Sequence, residues 1–196
     1  MEGITMRVSR AEAEANHQNV INVASRLFRE HGFNGIGVGD LMKGAGLTQG
    51  GFYKKFDSKE DLMIQAARRA IEHCLSQWTE TIGSGGEDSF EKLVAFYLSA
   101  KHCEELAEGC PLAALGSDVG RSSSDLRQVF EDGIKVHLQK LREILPETEN
   151  SDDASFVVLS TLVGALILSR SVSSRTLSQR ILDEASRHLI SIRTKK

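Results

Sequence analysis

The chain is poor in proline, with only Pro111 and Pro146 in 196 residues. Proline is excluded from helix interiors, so a chain nearly free of it, 40% hydrophobic and without long alternating β-branched runs, reads as all-α. Cysteine is also scarce. Cys74, Cys103 and Cys110 form no CxxC pair and are odd in number, which disfavours a zinc site and a disulfide framework and fits a reducing compartment. There is no surplus of positive charge: 24 basic residues face 27 acidic ones, a net charge of -3, so any role with nucleic acid must rest on local charge. Catalytic signatures are missing as well. The sequence has no HExxH, GxSxG or phosphate-loop motif and no metal-spaced cluster, so the expectation is no enzyme, no metal and no cofactor.

Long apolar runs are confined to one place. ASFVVLSTLVGALILS, from Ala154 to Ser169, is free of charge, but it falls short of the roughly 20 residues needed to span a bilayer and carries four hydroxyl side chains. It reads as a helix buried in protein. The opening MEGITMRVSR lacks the apolar core of a signal peptide, and a cytoplasmic protein without a membrane partner is expected.

Helices can be placed from spacing. Ser9 and Glu12 have capping-box spacing, and Val20, Ala24, Leu27 and Phe28 repeat as one buried stripe of a first helix that stops near Gly32. A short apolar-periodic stretch, VGDLMKGA, then a turn at Gly46, precede a second short helix starting at Thr48, whose hydroxyl suits an N-cap. Asp57 or Ser58 caps a long helix over about 58–82, roughly 37 Å at 1.5 Å per residue. After GSGGE come SFEKLVAFYLSAKHCEEL, a proline-initiated PLAALGSDVG, SDLRQVFEDGIKVHLQKLREIL ending at Pro146, the apolar helix over about 152–170, and a last one over about 176–192.

Two short helices joined by a glycine turn and packed on a longer one form a helix-turn-helix, whose second helix enters a major groove. The stretch GLTQGGFYKKFDSKE supplies chemistry for that task. Gln49 suits bidentate bonds to an adenine edge, Thr48 a base or a thymine methyl, and Gly50 and Gly51 a close backbone approach. Tyr53 can offer its hydroxyl to a phosphate, and Lys43, Lys54, Lys55 and Lys59 can form an anion-binding edge. Phe52 and Phe56, one turn apart, read as core.

FREHGF followed by DLMKGAGLTQGGFYKKFDSKEDL resembles the N-terminal DNA-binding domain of the tetracycline-repressor (TetR-like) transcription factors over about residues 16–64. The resemblance places Thr48, Gln49 and Tyr53 on the recognition helix and makes Lys59 a phosphate contact. Where many members have Thr or Ser, this chain has Ile36 and Gly37, so backbone amides from Gly37 to Asp40 stand in for the missing cap. His17 and Asn19 stand where arginine is frequent, and Lys54 where histidine is. The resemblance implies a DNA-binding domain over 1–57 and a helical effector-binding and dimerisation domain over 58–196, with about nine helices in all and the dimer formed through the last two.

The C-terminal half gives its own hints. The surface of Leu159, Leu162, Val163, Gly164, Leu166 and Ile167 is apolar nearly all round its helix, which requires burial on more than one side and suits a homodimer. GCPLAALGSDVG resembles a segment found in electrophile- or redox-sensing members, and Cys110 before Pro111 stands at a helix start, where amides favour thiolate. Cys103, beside His102, is a second candidate, and Cys74 reads as helix core. Trp78, Phe96, Tyr97, Leu112 and Phe130 are candidates to surround an apolar effector, with His137 or His102 as a polar anchor. The leading reading is a dimeric repressor of a pseudo-palindromic operator, released by a small molecule or by thiol modification. A cysteine-dependent enzyme using Cys103 or Cys110, or a sequence-indifferent architectural DNA binder, are the alternatives.

Overall fold

The computed structural model describes residues 10–84, 86–145 and 151–194. Every regular element among them is helical: α1 (Arg10–His31), α2 (Val38–Gly44), a 3₁₀ helix (Gln49–Lys54), α3 (Lys59–Gly83), a second 3₁₀ turn (Gly86–Asp88), α4 (Ser89–Tyr97), α5 (Ala100–Glu104), α6 (Pro111–Val119), α7 (Ser124–Ile144), α8 (Ser151–Arg170) and α9 (Arg175–Thr194). The all-α expectation holds.

Helix α1 buries the expected stripe of Val20, Ala24 and Phe28. It stops at Gly32, whose backbone adopts φ 75° and whose N–H still donates to Phe28 O at 2.8 Å. The expected capping residue Ser9 lies outside the described residues. Gly46, at φ 72°, turns the chain between α2 and the 3₁₀ helix, a conformation that carries no Cβ penalty only in glycine. Ser58 caps α3, its hydroxyl accepting the Asp61 N–H at 3.0 Å.

Two expected helices differ. The element beginning after Thr48 is a 3₁₀ helix, and the Thr48 hydroxyl caps nothing. The stretch 89–104 divides into α4 and α5 because Ser99 interrupts it: its hydroxyl donates to Phe96 O at 2.9 Å and accepts His102 N–H at 3.1 Å, closing one helix and opening the next.

The 25 residues of α3 form the axis of the molecule. Helix α3 packs on α1 at its start and on α4 and α7 farther along, so that the buried residues of both halves join in one cluster from Val20 to Leu189. Helices α8 and α9 form an antiparallel pair against α7 and α4. The window Asp153–Arg170 has a mean hydropathy of 1.5, enough by length and composition for a membrane span. Here one face of it, Ser155, Val158, Leu159, Leu162, Leu166 and Ser169, is buried in the protein.

Candidate functional site

The stretch singled out in the sequence forms an exposed ridge on a rigid base. Phe52 and Phe56 are buried, their rings 5.4 Å apart, and His17 of α1 stacks on Phe56 at 4.6 Å. The His17 Nε2 meets Gln65 Oε1 at 3.1 Å, while Asn19 donates to Ala45 O at 2.9 Å. These two residues of α1 therefore clamp the motif from behind. Spacing along α1 gave no sign of this, because their partners lie 26 to 48 residues away.

On the outer side Thr48, Gln49 and Gly50 are exposed, and Tyr53 is 78% exposed with its ring edge-on to Phe52. A Cβ added at Gly50 would meet nothing, so the protein's own packing does not require a bare backbone there. Gly37 is the N-cap of α2 without any side-chain cap, leaving the first amides of that short helix unsatisfied by protein side chains. Lys43 and Lys54 are exposed, and Lys55 is half-buried with its ammonium 3.5 Å from Ala13 O.

Lys59 departs from the expectation. Its ammonium donates to Phe33 O at 2.7 Å and Ile36 O at 2.8 Å, so it ties the loop before α2 to the start of α3. Burial pushes its pKa below the ordinary lysine value. With two of its three N–H groups committed inward, Lys59 acts as an internal tie.

The expected effector residues do not converge on one cavity. Leu112 and Phe130 do line an apolar cleft of about 300 Å³ between α6, α7 and α8, together with Val119, Leu138, Phe156 and Val163. A neighbouring opening shares Phe130, Ile134 and Phe156 and is rimmed by Arg127, Lys135, Glu131 and Arg142. Trp78 and Tyr97, in contrast, are fully buried, edge to face at 5.8 Å, and Phe96 stacks on His102 at 6.0 Å. Helix phase separates them: Trp78 and Tyr97 lie in the buried core, whereas Leu112 and Phe130 face the groove beside α8.

Of the two histidines considered as anchors, His102 is a structural joint. Its Nδ1 bonds Tyr97 O at 2.7 Å, so it carries the proton, and its Nε2 accepts the Cys110 N–H at 2.9 Å. Burial lowers its pKa. His137 is buried, its Nδ1 held on Gly133 O at 2.7 Å.

Cys110 is the N-cap of α6, with Pro111 in the first turn, and it is buried. Burial alone would raise the pKa of its thiol; the neighbouring Cys74 thiol leads the contacts that outweigh burial and bring it below the usual range. Cys74, which the sequence assigned only to packing, is buried, and the neighbouring Cys110 thiol together with burial pushes its own thiol up. Cys103 is half-exposed on a separate cleft between α5 and α9, 3.2 Å from Ser169 Oγ.

Helix α6 reaches the ridge. At its far end Asp118 Oδ2 accepts the Phe33 N–H at 3.0 Å, in the same loop that Lys59 ties. Before its start, Glu108 pairs with Arg26 at 2.7 Å and His73 at 3.3 Å, and the buried Arg29 donates to Gly109 O at 2.9 Å. One helix thus lines the cleft, carries Cys110 and touches the loop leading into α2.

The α8 surface also differs from the expected one. Leu159, Leu162 and Leu166 are buried in their own chain, and Val163 and Gly164 are half-buried. The outward apolar residues are Phe156, Val157, Ile167 and Leu168, each 41–59% exposed. Ile167 alone of the expected set is exposed, because an all-round apolar helix gives no phase to its pattern.

Comparison with known proteins agrees with this geometry. Residues 20–66 match the family described as bacterial regulatory proteins, tetR family. The chain is 27% identical over 173 residues to the HTH-type transcriptional regulator LmrA of Bacillus subtilis, covering 82% of this chain and 89% of that one. It is similar to the HTH-type transcriptional repressor NemR of Escherichia coli at 25% identity over 131 residues, 65% of this chain and 66% of that one. The crystal structure of the reduced form of E. coli NemR superposes with a TM-score of 0.75 at 21% identity, covering 90% of this chain and 96% of the other. A TetR transcriptional regulator from Chloroflexus aurantiacus gives a TM-score of 0.80 at 22% identity, covering 95% and 98%.

Proposed function

From the premise that this chain is a TetR-like transcriptional regulator, we propose that it acts in the cytoplasm as a homodimeric repressor, not as an enzyme. Its two 48–54 ridges occupy successive major grooves of a pseudo-palindromic operator, roughly 34 to 36 Å apart. The observation that carries this reading is the ridge itself: Thr48, Gln49, Gly50 and Tyr53 face outward, held from behind by the buried Phe52 and Phe56. Exposed polar side chains and an unobstructed backbone fit base edges, while Tyr53, Lys43, Lys54 and the amides at Gly37 fit phosphates.

The dimer forms through the outer face of α8 with α9. Phe156, Ile167 and Leu168 stand exposed on a helix whose other side is already buried, and a second copy covers such a face best. An apolar small molecule enters the α6–α7–α8 cleft and favours a conformer with a different spacing of the two ridges; it releases DNA to the extent that it binds that conformer more tightly. Helix α6 transmits the change, since Leu112 and Val119 line the cleft and Asp118 holds the Phe33 amide.

The test is selection of duplexes from a random-sequence pool by the full chain, followed by competition against bulk DNA. A repressor enriches one two-fold-symmetric site and prefers it over bulk DNA by at least about 10³. Equal affinity for every duplex would leave only a sequence-indifferent binder.

A further inference from the structure

Two openings beside α6, α7 and α8 form one groove. The apolar cleft of about 300 Å³ and its neighbour of about 560 Å³ share Gly116, Val119, Phe130, Ile134, Leu138 and Phe156, so a molecule lying in one continues into the other. Both volumes suit a small molecule, whose sites hold roughly 300–1,000 Å³. The first opening is walled further by Leu112, Leu159 and Val163, whereas the second is rimmed by Arg127, Lys135, Arg142 and Glu131. Gly116 is exposed inside α6, where glycine is unfavourable relative to alanine, yet a Cβ there would meet no atom within 4 Å. Its bare backbone makes sense if another molecule lies against α6.

The rim carries three cations against one carboxylate, and they are not equivalent. Glu131 is matched by Lys135, whose ammonium lies 2.6 Å from it. Arg142 is already engaged, and it stands roughly 22 Å along α7 from Arg127 at 1.5 Å per residue, too far to share one small head group. Arg127 forms no ion pair among the described residues; its Nε donates only to Ser123 O at 3.4 Å. It sits in the first turn of the 21-residue α7, where the helix dipole favours an anion, and Asp125 of the same turn lines neither opening.

We propose that this groove binds an amphipathic monoanion, a carboxylate carried on an apolar chain or ring. The apolar part lies against Phe130, Ile134 and Phe156 and fills the cleft toward Val163, removing from water two side chains that are now 38% and 52% exposed, Ile134 and Phe156. The carboxylate meets the Arg127 guanidinium at the rim, a paired, charge-assisted contact. Because that contact stays at the edge of solvent, neither charge bears the desolvation cost of a deep ion pair. A cation is repelled by the same rim, and a neutral apolar molecule gains only the burial. The role of such a molecule as effector rests on the repressor reading; its binding does not.

The test titrates the purified full chain by calorimetry with decanoate and, separately, with decanol, two molecules with one tail and different heads, both kept in the monomeric range. Decanoate is expected to saturate at one per chain and to bind at least about tenfold more tightly than decanol. In Arg127→Gln that gap closes while decanol binds as before. In Gly116→Leu, which places a side chain in the groove, both bind at least about tenfold more weakly. Equal affinities in wild type, or a gap that survives in Arg127→Gln, overturn the proposal. So does failure of both probes to bind the dimeric protein, the result expected if a second copy covers the groove. Wild type and the exposed Arg127→Gln decide even if Gly116→Leu fails to fold. Decanoate bound by protein that selects no DNA site sinks the repressor reading alone, and site-specific DNA binding by protein that takes no decanoate sinks only the amphipathic ligand.

Discussion

A side chain at Gly50 would touch no atom of the protein, yet the position is glycine in a helical turn where glycine is unfavourable by about 1 kcal/mol relative to alanine. The choice makes sense if another molecule approaches. Gly50→Val is expected to fold normally, with a thermal midpoint within a few degrees of wild type, and to lose affinity for the selected duplex by at least about tenfold. Lys59 is the opposite case. Lys59→Met removes two charge-assisted hydrogen bonds to Phe33 O and Ile36 O and is expected to lower stability by about 1–3 kcal/mol in urea unfolding, because both carbonyls lose their donor. A variant as stable as wild type with weakened DNA binding would return Lys59 to the phosphate role that the sequence suggested.

At the scale of elements, the joint between α5 and α6 depends on a neutral imidazole. His102 donates from Nδ1 to Tyr97 O and accepts the Cys110 amide at Nε2, and burial lowers its pKa. The unfolded chain takes up this proton first as pH falls, so the contribution of His102 to stability is complete above about pH 6.5, the unperturbed value, and declines below it toward the lowered folded value. Urea unfolding at pH 7.5 and pH 5.5 should show that loss in wild type and a smaller one in His102→Gln; equal losses would remove His102 from the account. Local signals made the elements legible. Pro111, Ser58 and Gly46 each act through neighbours in sequence, and each marks the boundary expected of it. The break at Ser99 was hidden because a serine inside an apolar-periodic run is ordinarily neutral, and only its double hydrogen bond reveals the cap. The internal tie made by Lys59 was hidden for a related reason: its charge is visible in sequence, but the carbonyls that it holds lie 23 and 26 residues away.

For the whole molecule, the account requires two chains. The outer apolar stripe of α8 sets the prediction: Ile167→Glu places a carboxylate where a partner would cover it and should convert the dimer to a monomer in sedimentation at micromolar concentration, with the helical circular dichroism unchanged. Leu162→Glu, at a residue buried within its own chain, should instead unfold the protein. Sequence pattern led to the expectation that α8 is covered on more than one side. Phase was not legible, because leucine and isoleucine surround the helix, and only packing on α7 and α9 decides which face is left exposed.

The central claim is that the 48–54 ridge reads bases in two symmetric half-sites. It is tested most directly by measuring wild type and Gln49→Ala against the selected duplex and all its single-base variants. Loss of discrimination at one position in each half-site, worth about 1–3 kcal/mol per position and related by the two-fold axis, is the predicted result. A uniform loss across all duplexes, or no loss, would contradict it.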